Sequence, residues 1–335
     1  MKKKLKRKIK KIIKRIIEIV MVLIIAFVCS KLEKLNNTVS LNNKFTSIET
    51  SKISEVLGIS QSNNSEVAEK ISENIMIDEN KLNLIFLDVG QADCQLILYK
   101  ENAVLIDAGN SGDGEYIVKG LKALGIKKLD YIIGTHVHED HIGGMSYIID
   151  SFEVGKFYLP YNTKTTTTYY KKLLNSLVQK EIPINEAVIG DKFLIDDLIF
   201  EIMSVDNSEP DNANITSIVL EITYGDLKYL FMGDAEKENE ESRKWNDVDV
   251  LKVGHHGSNT STSQVFLNQV LPEISVISVG EENSYELPKE KILNRLEKIG
   301  TKIYRTDEHG TIQIISDGKT NEVFKININF DSSQN

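Results

Sequence analysis

The stretch Thr135-His-Val-His-Glu-Asp-His-Ile-Gly-Gly144 indicates both the chemistry and the fold of this chain. It follows the apolar run Tyr131 to Gly134, which is typical of a strand. The spacing of His136 and His138 predicts two imidazoles on the same side of an extended loop, converging on one ion. Imidazole is a common ligand of zinc and related metals. The stretch therefore predicts a metal site at the end of a strand.

The same loop contains a second pair of metal-competent side chains. Asp140 and His141 are predicted to turn the opposite way and to bind a second ion, and Asp140 is also a candidate catalytic residue. The alternative is a mononuclear site in which this pair only supports the other ligands. The glycines that follow let the backbone pass close behind the site.

A bridging carboxylate is needed between two neighbouring ions, and Asp234 is the candidate. It ends the apolar run Lys228-Tyr-Leu-Phe-Met-Gly233, and Gly233 permits a close approach of the backbone. An aspartate at the end of a strand is also a common turn former. In combination with the histidine loop, the bridging role is favoured.

Five of the six histidines lie in two clusters, and the second cluster is the pair His255-His256 within Leu251-Lys-Val-Gly-His-His-Gly-Ser258. One of the two imidazoles should complete the second metal site, and the other could donate a proton or a hydrogen bond to the substrate. The sequence leaves the choice open. As a working assignment, His255 is the ligand and His256 is the catalytic residue. Lys252 is interpreted as an ordinary solvated lysine at a strand end, with a helper role as the alternative.

Short apolar runs alternate with segments of helical spacing from residue 83 onward. This order, in two comparable halves, predicts an α/β protein with a four-layer αβ/βα sandwich, in which two sheets pack face to face and helices cover the outside. Strands are predicted at 84–87, 95–99, 103–107, 131–134, 156–159, 198–204, 217–224, 227–232, 276–279, 302–304 and 310–315, and helices at 115–124, 167–178, 236–244, 262–269 and 288–298.

Charge is distributed unevenly along the 335 residues. Ten of the 40 lysines and arginines lie in the first fifteen positions, which contain no acid, so the remainder carries 30 basic against 49 acidic residues, a formal charge of −19. Such an acidic body is a poor non-specific ligand for nucleic acid. The two cysteines, Cys29 and Cys94, do not predict a structural disulfide.

Residues 1–30 are predicted to form a signal anchor. A basic segment runs into the apolar residues Ile19 to Cys29, which is short for a span but is flanked by side chains that can reach the headgroups. The positive-inside rule then predicts a single-pass protein with its body outside the cytoplasm. A cleaved signal peptide, which would give a secreted protein, and a cytoplasmic amphipathic helix are the alternatives. Residues 31–80 are polar and predict a spacer, and residues 81–330 are predicted to form the folded domain.

These motifs resemble the metallo-β-lactamase-like hydrolases, and in particular the domain of that type in ComEC competence proteins and its stand-alone relatives. The resemblance covers about residues 81–330. Besides the histidine loop it rests on Phe86-Leu-Asp-Val-Gly-Gln-Ala-Asp93, Ile106-Asp-Ala-Gly109, Asn214-Ile-Thr-Ser-Ile-Val-Leu220, Leu230-Phe-Met-Gly-Asp-Ala-Glu236, Leu251 to Ser258 and Tyr304-Arg-Thr-Asp-Glu-His-Gly310.

The resemblance implies hydrolysis with two divalent ions, zinc being favoured over manganese, and a phosphodiester substrate. That substrate could be small, linked to the cell wall, or single-stranded DNA, and no obligate protein partner is predicted. An ester, thioester or lactam hydrolase and a non-catalytic metal-binding accessory protein in DNA uptake are the alternatives.

The chain departs from the family pattern at two places. No histidine lies between His141 and His255, where lactamases of this family carry one, which argues against lactamase activity. The first ion would then have an open or water-filled position, or would take an oxygen from the loop at 211–217. Asn214 is the candidate in that loop and is also a candidate catalytic residue. The family also tends to have a histidine before a late proline, whereas this chain has Leu287 before Pro288.

Overall fold

The computed structural model describes residues 75–160, 165–208 and 211–326. The predicted anchor at 1–30 and most of the predicted spacer lie outside these ranges. Among the described residues, none of the helices combines the length and the apolar character that a membrane span requires.

The first sheet has eight strands in the order β15-β14-β1-β2-β3-β4-β5-β6. Its pairings are antiparallel from β15 to β3 and parallel from β3 to β6. The strands are β1 Leu82–Phe86, β2 Gln95–Tyr99, β3 Asn102–Ile106, β4 Lys128–Ile133, β5 Glu153–Tyr158, β6 Ile184–Asn185, β14 Thr311–Ser316 and β15 Asn321–Ile326.

The second sheet has seven strands in the order β13-β12-β11-β10-β9-β8-β7. Strands β7 to β10 are antiparallel, whereas β10 to β13 are parallel. The strands are β7 Lys192–Ile195, β8 Leu198–Ser204, β9 Val219–Tyr224, β10 Leu227–Phe231, β11 Val250–Lys252, β12 Ile274–Ile277 and β13 Lys302–Arg305.

Helices cover the outer faces of both sheets. The helix α1 shows why: Ile117, Val118 and Leu121 form its buried stripe, and it ends just before Gly125, whose φ of +78° stops the helical turn. The helices are α1 Gly114–Ala123, α2 Glu139–Ile142, α3 Met145–Ser151, α4 Thr168–Gln179, α5 Lys237–Glu241, α6 Gln264–Val270, α7 Glu290–Ile299 and α8 Thr306–His309, with short 3-10 turns at Ala213–Thr216 and Gly254–Gly257.

Three apolar layers hold these elements together. One lies between the first sheet and α1, α3 and α4, a second lies between the two sheets, and a third lies between the second sheet and α6 and α7. The predicted αβ/βα sandwich is therefore confirmed for the described residues. Ile75, which the composition placed in the spacer, is only 3% exposed and belongs to the first layer, so the packed part begins before residue 81.

The arrangement of the strands determines where the polar loops meet. The carboxyl ends of parallel strands lie at one edge of a sheet. In the first sheet that edge carries Asp107 and the loop from Thr135, which follow β3 and β4. In the second it carries Asp234, the Gly254–Gly257 turn and Ser278, which follow β10, β11 and β12.

Replacing Phe231 tests the packing between the sheets. Phe231 is 2% exposed and stacks on Phe86 of the other sheet with ring centroids 5.9 Å apart. We expect Phe231→Ala to lower the free energy of unfolding by about 3–5 kcal/mol, because a large buried ring leaves a cavity. Urea unfolding followed by the fluorescence of Trp245 measures this. The control Val265→Ala, at a 63% exposed position, should change it by less than about 0.5 kcal/mol; similar values for the two variants would contradict the proposed packing.

Candidate metal centre

Asp107 organises the histidine loop from the neighbouring strand end. Its Oδ1 accepts a hydrogen bond from the backbone N–H of Thr135, and its Oδ2 accepts one from the Thr135 hydroxyl, both at 2.7 Å. The same Oδ2 lies 2.7 Å from Nδ1 of His141. A carboxylate on Nδ1 sets the tautomer and leaves Nε2 free to bind a metal. Sequence reasoning did not assign a role to Asp107, although it is followed two residues later by glycine at a strand end.

Four side-chain atoms converge in what we call the second set: Nε2 of His141, Nε2 of His256, Oδ2 of Asp140 and Oδ1 of Asp234. Nε2 of His141 lies 3.2 Å from the Asp234 oxygen and 3.9 Å from the Asp140 oxygen. Nε2 of His256 lies 3.5 and 3.4 Å from the same two oxygens. These separations suit four ligands arranged around one ion.

Three of these four atoms are orphans. Nε2 of His141, Nε2 of His256 and Oδ1 of Asp234 are buried and have no hydrogen-bond partner among the described residues. Buried polar atoms without partners are costly and require an explanation. A divalent cation bound by nitrogen and carboxylate ligands would satisfy all three at once, so the residues fit a metal of the zinc or manganese type.

The first set consists of His136, His138 and Oδ2 of Asp234. Nε2 of His136 lies 2.9 Å from Nδ1 of His138 and 3.8 Å from this oxygen. The two oxygens of Asp234 thus face different sets, as a bridging ligand requires. Gly233 permits this position, because its φ is +53° and an added Cβ would lie 3.0 Å from the Cβ of Thr135.

The two adjacent histidines occupy different places, because both adopt left-handed backbone angles, with φ of 48° at His255 and 50° at His256. The His256 side chain is 1% exposed, and its Nδ1 bonds to the carbonyl oxygen of Ser278 at 2.8 Å. The His255 side chain is 23% exposed, with Nδ1 2.9 Å from the Thr260 hydroxyl and Nε2 3.6 Å from Oδ2 of Asp234. The geometry therefore places His256, and not His255, in the second set, the reverse of the working assignment.

Asn214 lies beside His255 rather than within either set. Its Nδ2 donates a hydrogen bond to Oε1 of Glu236 at 3.0 Å and lies 3.4 Å from Nε2 of His255. Its Oδ1 is buried without a hydrogen-bond partner among the described residues. Glu236, to which sequence reasoning gave no separate role, also accepts a hydrogen bond from Asn212. It therefore holds Asn212 and Asn214 together beside His255.

The expectation that Lys252 is a solvated lysine at a strand end is wrong. Lys252 is 1% exposed instead of solvated, and its Nζ donates a hydrogen bond to Oδ2 of Asp93 at 2.8 Å. The reason is that β11 lies between β10 and β12 in the sheet, where a side chain has little access to water. Asp93 itself was expected only as part of a family motif, and no feature of the sequence connects it with a lysine so far along the chain.

The electrostatics of the second set favour positive charge. Burial opposes the ionisation of Asp234, but the imidazoles of His141 and His256 outweigh it and keep the pKa of Asp234 well below its usual range. Burial also disfavours a charged His141, yet the carboxylates of Asp234, Asp107 and Asp140 raise its pKa well above the ordinary value. In His136, burial and the neighbouring His141 lower the pKa.

Comparison with known proteins identifies the family of the chain. The sequence profile of the Metallo-beta-lactamase superfamily matches residues 87–281, more than half of the chain. The chain therefore belongs to the metallo-β-lactamase superfamily.

Within it, the resemblance to ComEC-type relatives is confirmed. The chain is 32% identical over 249 residues to ComE operon protein 3 of Bacillus subtilis, a match that covers 68% of this chain and 32% of that protein. It is 31% identical over 243 residues to Competence protein ComA of Neisseria gonorrhoeae, covering 71% of this chain and 33% of that protein. The chain thus spans about a third of the length of the relatives it matches.

A solved structure supports the fold alone. CmlA, a diiron β-hydroxylase from Streptomyces venezuelae, aligns with a TM-score of 0.50 at 13% identity, over 75% of this chain and 55% of that one.

Replacing each of the two adjacent histidines with alanine tests their roles. We expect His256→Ala to lose the second ion, because it removes one of four converging atoms, whereas His255→Ala retains both ions. The measurement is metal content by mass spectrometry after gel filtration in zinc-containing buffer. Loss of an ion from His255→Ala together with full occupancy in His256→Ala would contradict the geometry.

Replacing Asp234 tests the bridge. Asp234→Asn should weaken the binding of both ions, because each set loses a negatively charged oxygen. The isosteric control is Asp226→Asn, at an exposed position, which should bind both ions normally. Calorimetric titration with zinc distinguishes the two variants, and unchanged binding in Asp234→Asn would show that the carboxylate does not bridge.

Proposed function

We propose that this protein is a metal-dependent phosphodiesterase or nuclease-like hydrolase that uses two divalent ions, preferably zinc, with manganese as the alternative. The observation that carries the proposal is the position of Asp234. Its Oδ2 faces His136 in the first set, and its Oδ1 faces His141 in the second set. A pair of ions on a shared carboxylate suits in-line attack at phosphorus, where charge is spread over both the attacking and the leaving oxygen.

When bound, such ions lower the pKa of water toward about 7 and balance the charge of a phosphoryl group. The residues of the chain provide the positions. Asp107 and the carbonyl oxygen of Ser278 fix the rings of His141 and His256 from behind, through their Nδ1 atoms. Asp140 closes the second set from the exposed side, because its side chain is 29% exposed whereas that of Asp234 is 2% exposed.

His255 is the imidazole left to act on the substrate. Nδ1 of His256 bonds to the carbonyl oxygen of Ser278, and its Nε2 belongs to the second set. His255 is partly exposed beside Asp234, and its ring is oriented by the Thr260 hydroxyl. It is therefore placed to donate a hydrogen bond to an anionic oxygen or to the leaving group.

The charge of the body limits the substrate. Outside the first fifteen residues the formal charge is −19, which disfavours broad contact with the nucleic acid backbone. A small or wall-linked phosphodiester needs no basic groove and is the favoured substrate. Single-stranded DNA stays in the proposal because Competence protein ComA is among the relatives named above.

We also propose that the basic N-terminal segment tethers the domain to the membrane with the metal centre outside the cytoplasm. The support is the set of ten basic residues within the first fifteen positions, followed by the apolar stretch from Ile19 to Cys29. Cleavage of this segment would give a secreted form.

An activity panel on the purified full chain tests the hydrolase proposal. With zinc or manganese, we expect turnover of bis-p-nitrophenyl phosphate, and His138→Ala should reduce it on the order of 10⁴-fold, the scale on which removal of a catalytic group acts. The matched control is His309→Ala, since His309 lies in α8 and contacts the backbone of Arg305 instead of either set.

The other outcomes separate the alternatives. Nitrocefin hydrolysis, or turnover of carboxyl esters or thioesters without phosphodiesters, would overturn the phosphodiesterase proposal. Stoichiometric metal without any turnover would indicate a metal-binding accessory protein. Degradation of single-stranded DNA at physiological salt would contradict the charge argument but not the mechanism.

A further inference from the structure

A buried ion pair lies next to the second set and has no part in the mechanism above. Nζ of Lys252 and Oδ2 of Asp93 are 2.8 Å apart, and each side chain is 1% exposed. Lys252 is the one buried lysine or arginine in the part of the chain that the structure describes. Removing two charges from water has a considerable free-energy cost, so a buried pair in this position requires an explanation.

Asp93 lies behind the histidine rings rather than among the ligating atoms. Its Oδ1 is 3.8 Å from Nδ1 of His256, and its Oδ2 is 3.9 Å from Nδ1 of His141. These Nδ1 atoms are the ones bonded to Ser278 and Asp107, whereas the Nε2 atoms face Asp140 and Asp234. Although distance alone groups Asp93 with His141, Asp234 and His256, the orientation of the rings separates it from the coordination side.

Asp93 is also tied to the metal loop through its backbone. Its N–H donates a hydrogen bond to the carbonyl oxygen of Asp140 at 3.0 Å, and its carbonyl oxygen accepts one from Gly109 at 2.9 Å. A shift of Asp93 would therefore move Asp140, which supplies an oxygen to the second set. The side chain of Asp93 has a free oxygen as well, because Oδ1 has no hydrogen-bond partner among the described residues.

Lys252 determines which way that carboxylate is held. Its Nζ is fixed by a second hydrogen bond, to the carbonyl oxygen of Val253 at 3.1 Å. Without the lysine, a negative charge would remain buried beside Asp107, Asp140 and Asp234, and the nearest positive charge would be the ion of the second set. Asp93 would then be drawn toward that ion, displacing His256 and the backbone of Asp140.

We propose that Lys252 and Asp93 are positioning residues, a charge-balanced pair that keeps a carboxylate behind His141 and His256 and so preserves the geometry of the second ion site. The pair acts on metal binding and not on the substrate, so this inference stands or falls independently of the phosphodiesterase proposal. It requires that the two charges matter together, because each neutralises the other.

A double-variant cycle on the full chain tests the pair. We expect Lys252→Met to weaken binding of the second ion about 10–100-fold, the range for loss of a group that supports metal ligands. Asp93→Asn should weaken it less, and the double variant Asp93→Asn/Lys252→Met should recover most of the affinity, since no unpaired charge remains. Lys252→Arg, which retains the charge, should stay close to the wild type.

Two measurements that need no substrate give the result. Zinc titration calorimetry yields the affinity and the number of ions, and the visible absorption of the Co²⁺-loaded protein reports the ligands of the second ion. We expect the Co²⁺ spectrum to change in Lys252→Met and to return to the wild-type form in the double variant. Wild-type affinity and spectrum in Lys252→Met would overturn the proposal, and so would additive losses in the double variant.

Folding is checked by thermal unfolding of each variant. If Lys252→Met does not fold, the double variant decides: tight binding of the second ion with the wild-type Co²⁺ spectrum supports the pair, and weak binding in a folded protein contradicts it.

Discussion

Three buried carboxylates, those of Asp93, Asp107 and Asp234, and the partly exposed carboxylate of Asp140 lie around two histidine rings. Their mutual repulsion is the constraint on which the site depends. Each is compensated by a different neighbour. Asp93 has Lys252, Asp107 has the donors of Thr135 and the ring of His141, and Asp140 and Asp234 face the Nε2 atoms of the second set. Negative charge remains unbalanced at the point where the atoms of the second set converge. That point therefore favours the binding of a cation.

The sandwich serves this constraint by bringing two strand edges together. The parallel part of the first sheet delivers His136, His138 and His141, and that of the second delivers Asp234 and His256. Neither sheet can bind two metal ions alone, because the shared carboxylate comes from one sheet and most of the imidazoles come from the other. The apolar layer between the sheets therefore contributes to metal binding as well as to folding.

The sequence predicted what local spacing encodes. The histidine loop, the glycine before Asp234 and most of the strands follow from patterns within a few residues. The strands Lys192–Ile195 and Asn321–Ile326 and the helix Met145–Ser151 were not predicted. The helix contains Tyr147 and two isoleucines directly after a glycine pair, a composition that does not favour helix over strand. The roles of His255 and His256 depend on two successive left-handed residues, which the residue types do not specify. The pairing of Asp93 with Lys252 joins positions 159 residues apart and depends on which strands are neighbours.

The turn that carries His256 has one further property. Gly257 lies under Pro288, where an added Cβ would be 2.6 Å from the proline Cβ, and its carbonyl oxygen accepts a hydrogen bond from Lys289. The segment from Asn283 to Pro288 thus packs against the residue that directly follows His256. A substitution in this segment that shifts Pro288 would therefore also shift the turn that carries His256, so this segment and the second set are mechanically coupled.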